Sequence, residues 1–138
     1  MKLCTLILVF FCLIGCTNKV TTEQITLLNG YWEIAEVTFA DGKKKEYLVN
    51  TSIDYIELNK MKGFKKKVSP KIDGSYDTSN DAEKFIILKK NDEYLFSYKN
   101  NLSQWQEVIQ YINEDTFSIK NEANITYTYK RFVPLNIE

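Results

Sequence analysis

The sequence predicts an all-β protein, a small up-and-down antiparallel β-barrel of about eight strands. Three observations carry this expectation. From Leu27 onward, short runs rich in Tyr, Phe, Ile, Val and Thr alternate with turn clusters. No helical pattern of about 10–15 residues alternates with these runs, which argues against a parallel α/β sheet. The chain has 138 residues, room for one domain, and so many short strands in one domain favour closure, which removes exposed sheet edges.

The chain opens with Lys2, then an unbroken apolar run from Leu6 to Ile14, then Gly15 and Cys16. A positive start, a short apolar run and a small residue at its end describe an export signal. The nine apolar residues make about 14 Å of helix, against roughly 30 Å of hydrocarbon in a bilayer. Residues 1–15 are therefore expected as a cleaved signal peptide. Residues 16–26 follow as a polar tether, and residues 27–138 as the barrel domain.

Nine strands are expected in order: Tyr31–Phe39, Lys45–Val49, Tyr55–Leu58, Lys65–Lys71, Lys84–Lys89, Glu93–Lys99, Trp105–Ile112, Thr116–Lys120 and Ile125–Val133. Between them stand Asp41-Gly42, Asp73-Gly74, Asn91-Asp92, Asn113-Glu114-Asp115 and Asn121–Asn124, all residues that favour tight reversals. One run reads two ways. Trp105, Val108, Ile109 and Ile112 lie at helical spacing, and Ser103 with Gln106 resembles a capping box. Its β-branched residues and the turn straight into Thr116–Ile119 favour a strand.

Leu13-Ile14-Gly15-Cys16 resembles the lipobox of bacterial lipoproteins. The resemblance implies diacylglycerol on the sulfur of Cys16, cleavage before it, and acyl chains such as palmitate as a membrane anchor. Two or more chains hold a protein stably, at about 0.8 kcal/mol per buried methylene. The implied location is the bacterial cell envelope, at the outer membrane. Cys4 and Cys12 leave with the signal, so the mature chain has no disulfide to rely on.

Gly30-Tyr31-Trp32 opens the first strand, and Tyr127–Phe132 closes the last with Lys130 and Arg131. This pairing resembles the lipocalin and wider calycin families, where a Gly-x-Trp and a terminal basic residue occupy these places. The mature chain looks most like the short lipocalin-like domain lipoproteins of Bacteroidetes-type bacteria. The resemblance implies that Trp32 closes the barrel floor and that a basic side chain lies across its indole, a cation–π contact. Strand parity puts Arg131 on the face of Tyr127 and Tyr129, and Lys130 on the other, so Arg131 is the expected partner. Gly30, Trp32 and Arg131 are thus structural candidates.

Candidate interior contacts are Trp105, Glu107, Tyr127 and Tyr129. Glu107 shares its strand face with Trp105 and Ile109. It is either a ligand-orienting carboxylate or a solvated glutamate on a strand whose other face is buried. The leading expectation is a small hydrophobic or amphipathic ligand inside the barrel. The alternative is a filled barrel that binds a protein or lipid head group through its surface. Lys60, Lys62, Lys65, Lys66, Lys67 and Lys71 form a basic run that offers either an envelope contact or a solvated hairpin.

Catalysis finds little support. There is no histidine, and no thiol outside the first sixteen residues, so no Ser–His or Cys–His relay is possible in the domain. No catalytic residue, metal ligand set or cofactor is assigned. Eighteen basic residues balance eighteen acidic ones, which argues against nucleic acid as a partner.

Overall fold

The computed structural model describes residues 18–134; the expected signal peptide, residues 1–15, and Cys16 lie outside the described residues. A short helix α1 (Thr22–Ile25) runs into a 3-10 turn (Thr26–Leu28). Nine strands follow: β1 (Gly30–Thr38), β2 (Lys44–Glu46), β3 (Ile53–Asn59), β4 (Lys62–Pro70), β5 (Tyr76–Lys90), β6 (Glu93–Lys99), β7 (Gln104–Ile112), β8 (Thr116–Asn121) and β9 (Thr126–Arg131). They pair antiparallel in the order β2-β1-β3-β4-β5-β6-β7-β8-β9. β1 also pairs with β9, from Trp32 opposite Arg131 to Thr38 opposite Thr126. That pairing closes an eight-stranded barrel of β1 and β3–β9. β2 is a ninth strand laid only on Glu36–Thr38 of β1.

The first departure from expectation is the tether. Residues up to Thr26 are not all polar spacer, because the fold begins at Thr21. The Thr21 hydroxyl accepts from the Gln24 amide at 3.3 Å, and the Gln24 side chain accepts from the Thr21 amide at 2.8 Å. This capping box starts α1. The helix drops Ile25, and the following turn drops Leu28, into the core beside Trp32. Together they plug one end of the barrel, hereafter the closed end. The core runs from Ile25 to Tyr129, with Val20 packed against it, so this span is a folding unit in itself.

The helical spacing of β7 also has a structural cause. Trp105 and Ile109 face inward, and the register shifts between Ile109 and Tyr111. That bulge turns Tyr111 outward and returns Ile112 to the interior. A strand with one extra residue thus imitates a stripe at i, i+4 and i+7.

β5 is much longer than Lys84–Lys89. Its first half, Tyr76–Glu83, is polar and almost wholly exposed, and pairs with the upper part of β4. Backbone ladder bonds alone make it a strand there, so no apolar alternation marks it. β2 is shorter than expected: Leu48 and Val49 leave the sheet and stand in solvent.

The interior is aromatic. Trp32 meets Phe117 edge-on at 4.7 Å, and Phe117 stacks on Tyr129 at 4.6 Å. Phe85 meets Phe96 at 4.8 Å, and Tyr98 stacks on Trp105 at 4.9 Å. A second aromatic group lies outside the wall, where Tyr31 stacks on Tyr76 at 4.3 Å.

Candidate functional site

At the closed end, Arg131 holds three segments together. Its guanidinium lies 3.8 Å over the Trp32 ring. It donates to the carbonyls of Glu114 at 3.0 Å, Asn29 at 2.6 Å and Leu27 at 2.9 Å. The Trp32 indole donates to the Leu28 carbonyl at 2.8 Å. Gly30 makes this possible. Its φ is +121°, and a Cβ there would lie 2.8 Å from the guanidinium. Lys130 points the other way and pairs with Glu33 at 3.2 Å.

Trp105, Glu107, Tyr127 and Tyr129 all face the interior, as their cross-strand partners do. Tyr129 is buried, and Trp105, Glu107 and Tyr127 are half-buried. The gap left among Ile56, Phe96, Tyr98, Phe117 and Tyr129 is too small for a water molecule. Glu107 is not on the solvated face. Its Oε2 is buried without a hydrogen-bond partner among the described residues, and so is the Tyr98 hydroxyl. Burial raises the Glu107 carboxyl above its ordinary range, with the Lys65 ammonium pulling it part of the way back.

Glu107 therefore makes a testable contribution. Its protonated form is favoured on folding, so the folded state holds a proton the unfolded state releases. Stability from this group is present below the ordinary carboxylate range and is lost as pH rises through the raised value. Glu107→Gln should resist this loss. As pH rises above the ordinary carboxylate range, its melting temperature should gain on the parent's. A gap independent of pH would exclude the raised carboxyl.

The lysine run is not one surface. Strand alternation splits it between faces. Lys65 points inward with its ammonium 5.2 Å from the Tyr98 ring centre. Lys67 sits 2.8 Å from the buried carboxylate of Asp54, and Lys71 pairs with Asp77 at 2.6 Å. A polar cleft of about 340 Å³ opens here, where β4 and β5 change register opposite Ser79–Asp81. Its three lysines face three carboxylates, so its charges already balance.

A different depression lies on the outer wall. The β2–β3 loop, the β4–β5 turn and the segment after β9 enclose an apolar groove of about 340 Å³. Leu48, Val49, Ile72, Tyr76, Phe132 and Val133 line it, with Asn50, Lys71 and Ser75 among its polar groups. Leu48 and Ile72 are 86% exposed, Val49 85% and Val133 74%. Four aliphatic side chains this bare, gathered on one depression, are not incidental surface. Sequence reading placed three of them inside or at the end of strands and gave Ile72 no role. The available signal was an apolar residue inside each turn, most plainly Ile72 directly before Asp73-Gly74.

No family model matches the chain, and no curated protein matches it. Among solved structures, the chain is similar to a lipocalin-like protein from Bacteroides uniformis, with a TM-score of 0.48 and 12% sequence identity. The match covers 77% of this chain and 99% of that one. The closed barrel described above rests on this chain's own strand register.

Proposed function

We propose that the protein is a lipid-anchored, lipocalin-like lipoprotein of the bacterial cell envelope, held at the outer membrane through Cys16, that binds a small apolar or amphipathic molecule. The binding place is the outer groove rather than the barrel interior. The observation that carries this is the contrast between the two. The interior gap has no room for a water molecule, and the equally large cleft beside Asp54, Lys65 and Tyr129 is polar and charge-balanced, whereas the groove of about 340 Å³ presents four solvated aliphatic side chains. That volume lies in the ordinary range for small-molecule sites. Covering such a side chain completely gains about 1.5–3 kcal/mol. Lys71, Asn50 and Ser75, already engaged with Asp77, the Ile34 carbonyl and Asp73, give the groove a polar border beside which the head of an amphipathic molecule would lie. Trp105, Glu107, Tyr127 and Tyr129 act in this reading as interior packing. Neither catalysis, nor a metal, nor nucleic acid enters it.

The test is native mass spectrometry of residues 17–138, taken from the host's own envelope extract and then incubated with palmitate. The parent should carry a small molecule, and the double variant Val49→Asp, Ile72→Asp should lose it. The melting temperature should not fall, because both side chains are solvated in the free protein. A bound mass retained by the variant, or a parent that stays empty, would sink the groove reading.

A further inference from the structure

The strongest remaining feature is how tightly the first described residues are fastened. Lys19 reaches Asp92 at 3.3 Å. That exposed pair alone holds little. Val20 packs against the core. The Thr22 hydroxyl meets the Tyr94 hydroxyl at 2.5 Å, and the Gln24 side chain donates to the Ile112 carbonyl at 3.0 Å. Ile25 is buried. From Lys19 onward the chain is therefore tied to the closed end, beside the β5–β6 and β7–β8 turns.

This leaves almost no tether. Two residues separate Cys16 from Lys19. Three Cα steps limit that separation to about 11 Å, whatever the conformation. An acylated Cys16 sits at the level of the lipid head groups. A domain fastened within this reach at one end is not free to tumble.

We propose that the closed end of the barrel rests against the bilayer and the open end, at the β6–β7 and β8–β9 turns, points away from it. The surface involved is that of α1 with the β5–β6 and β7–β8 turns, and its partner is the membrane that holds the acyl chains. This inference rests on the lipoprotein reading above. It adds an orientation that neither acylation nor the barrel specifies by itself. β6 spans seven residues, so the two ends stand about 15 Å apart along a strand tilted by about 40°.

Fluorescence quenching from the membrane surface tests it. The full chain is expressed in a bacterium that processes lipoproteins, with one cysteine introduced at Lys90→Cys or at Asn101→Cys, both exposed. Each is labelled and placed in phosphatidylethanolamine and phosphatidylglycerol vesicles that carry a head-group quencher. The Lys90 label should be quenched several-fold more than the Asn101 label. A flexible Gly-Ser linker inserted between Thr17 and Asn18 should abolish the difference. Intact mass of the same samples reports the acyl chains. Without them, the lipoprotein reading fails and the orientation with it. With them, equal or reversed quenching of the two labels, or a difference that survives the linker, overturns the orientation alone.

Discussion

Replacing Trp32 by alanine is expected to remove about 4 kcal/mol of stability, read as a lower urea midpoint. The side chain is fully buried. Deleting an aromatic ring of this size from a packed core costs about 3–5 kcal/mol, because the lost burial is joined by the void it leaves. Three particular contacts go with it: the edge of Phe117 at 4.7 Å, the Arg131 guanidinium at 3.8 Å and the hydrogen bond to the Leu28 carbonyl at 2.8 Å. Small domains hold only about 5–15 kcal/mol in total, so the variant should be partly unfolded at growth temperature. Trp32→Phe retains the apolar bulk and should cost about 1–2 kcal/mol, the share of the lost indole hydrogen bond. A loss below about 1 kcal/mol for Trp32→Ala would mean that the floor is not built on this ring.

Arg131→Ala should follow, at about 3 kcal/mol by the same measurement. Hydrogen bonds from a charged donor contribute about 1.5–3 kcal/mol, and a cation over an indole about 0.5–2 kcal/mol. These do not add, since all act through one partly solvated group. The planar fork matters more than the charge. It reaches Leu27, Asn29 and Glu114 together, and a lysine ammonium has no such geometry. Arg131→Lys should therefore recover less than half of the loss. Full rescue by lysine would reduce the role of Arg131 to its charge. Because Arg131 and Trp32 touch, the double variant should lose less than the two single losses combined.

The barrel was legible because its strands are half buried and therefore alternate. Each of the nine expected runs lies on one of the nine strands, and the turn residues fall between them. Reading failed where alternation was absent or disguised. Asp77–Glu83 is exposed throughout, so nothing but backbone pairing marks it as strand. In β7 the extra residue near Tyr111 reset the parity and made a strand look helical. α1 was missed although Thr21-Thr22-Glu23-Gln24 carries a capping-box pattern, because a four-residue helix has too little periodicity to register. Parity served well for Arg131 against Lys130, which do lie on opposite faces.

The candidate site was less legible. The inward residues of β7 and β9 could be read from alternation, but the space around them depends on how eight walls fill one another. Glu107 illustrates the point. Its face was readable, but neither the burial of its carboxyl nor the Lys65 ammonium brought near it by the fold could be read from alternation. The groove is assembled from three segments far apart in sequence, brought together where Tyr76 stacks on Tyr31. The lysine run shows the converse. Neighbours in sequence, those side chains are parted by strand geometry.

The pairing of β1 with β9 has a consequence in time. Arg131 binds the Leu27 carbonyl across 104 positions of chain, so the seam that seals the barrel joins nearly its first residue to nearly its last. Such distant contacts form slowly, and their gain comes only after most of the loop entropy is lost. A ribosome therefore releases almost the whole domain before it can close. For the exported lipoprotein proposed here, this delay favours a polypeptide that is still open when export begins.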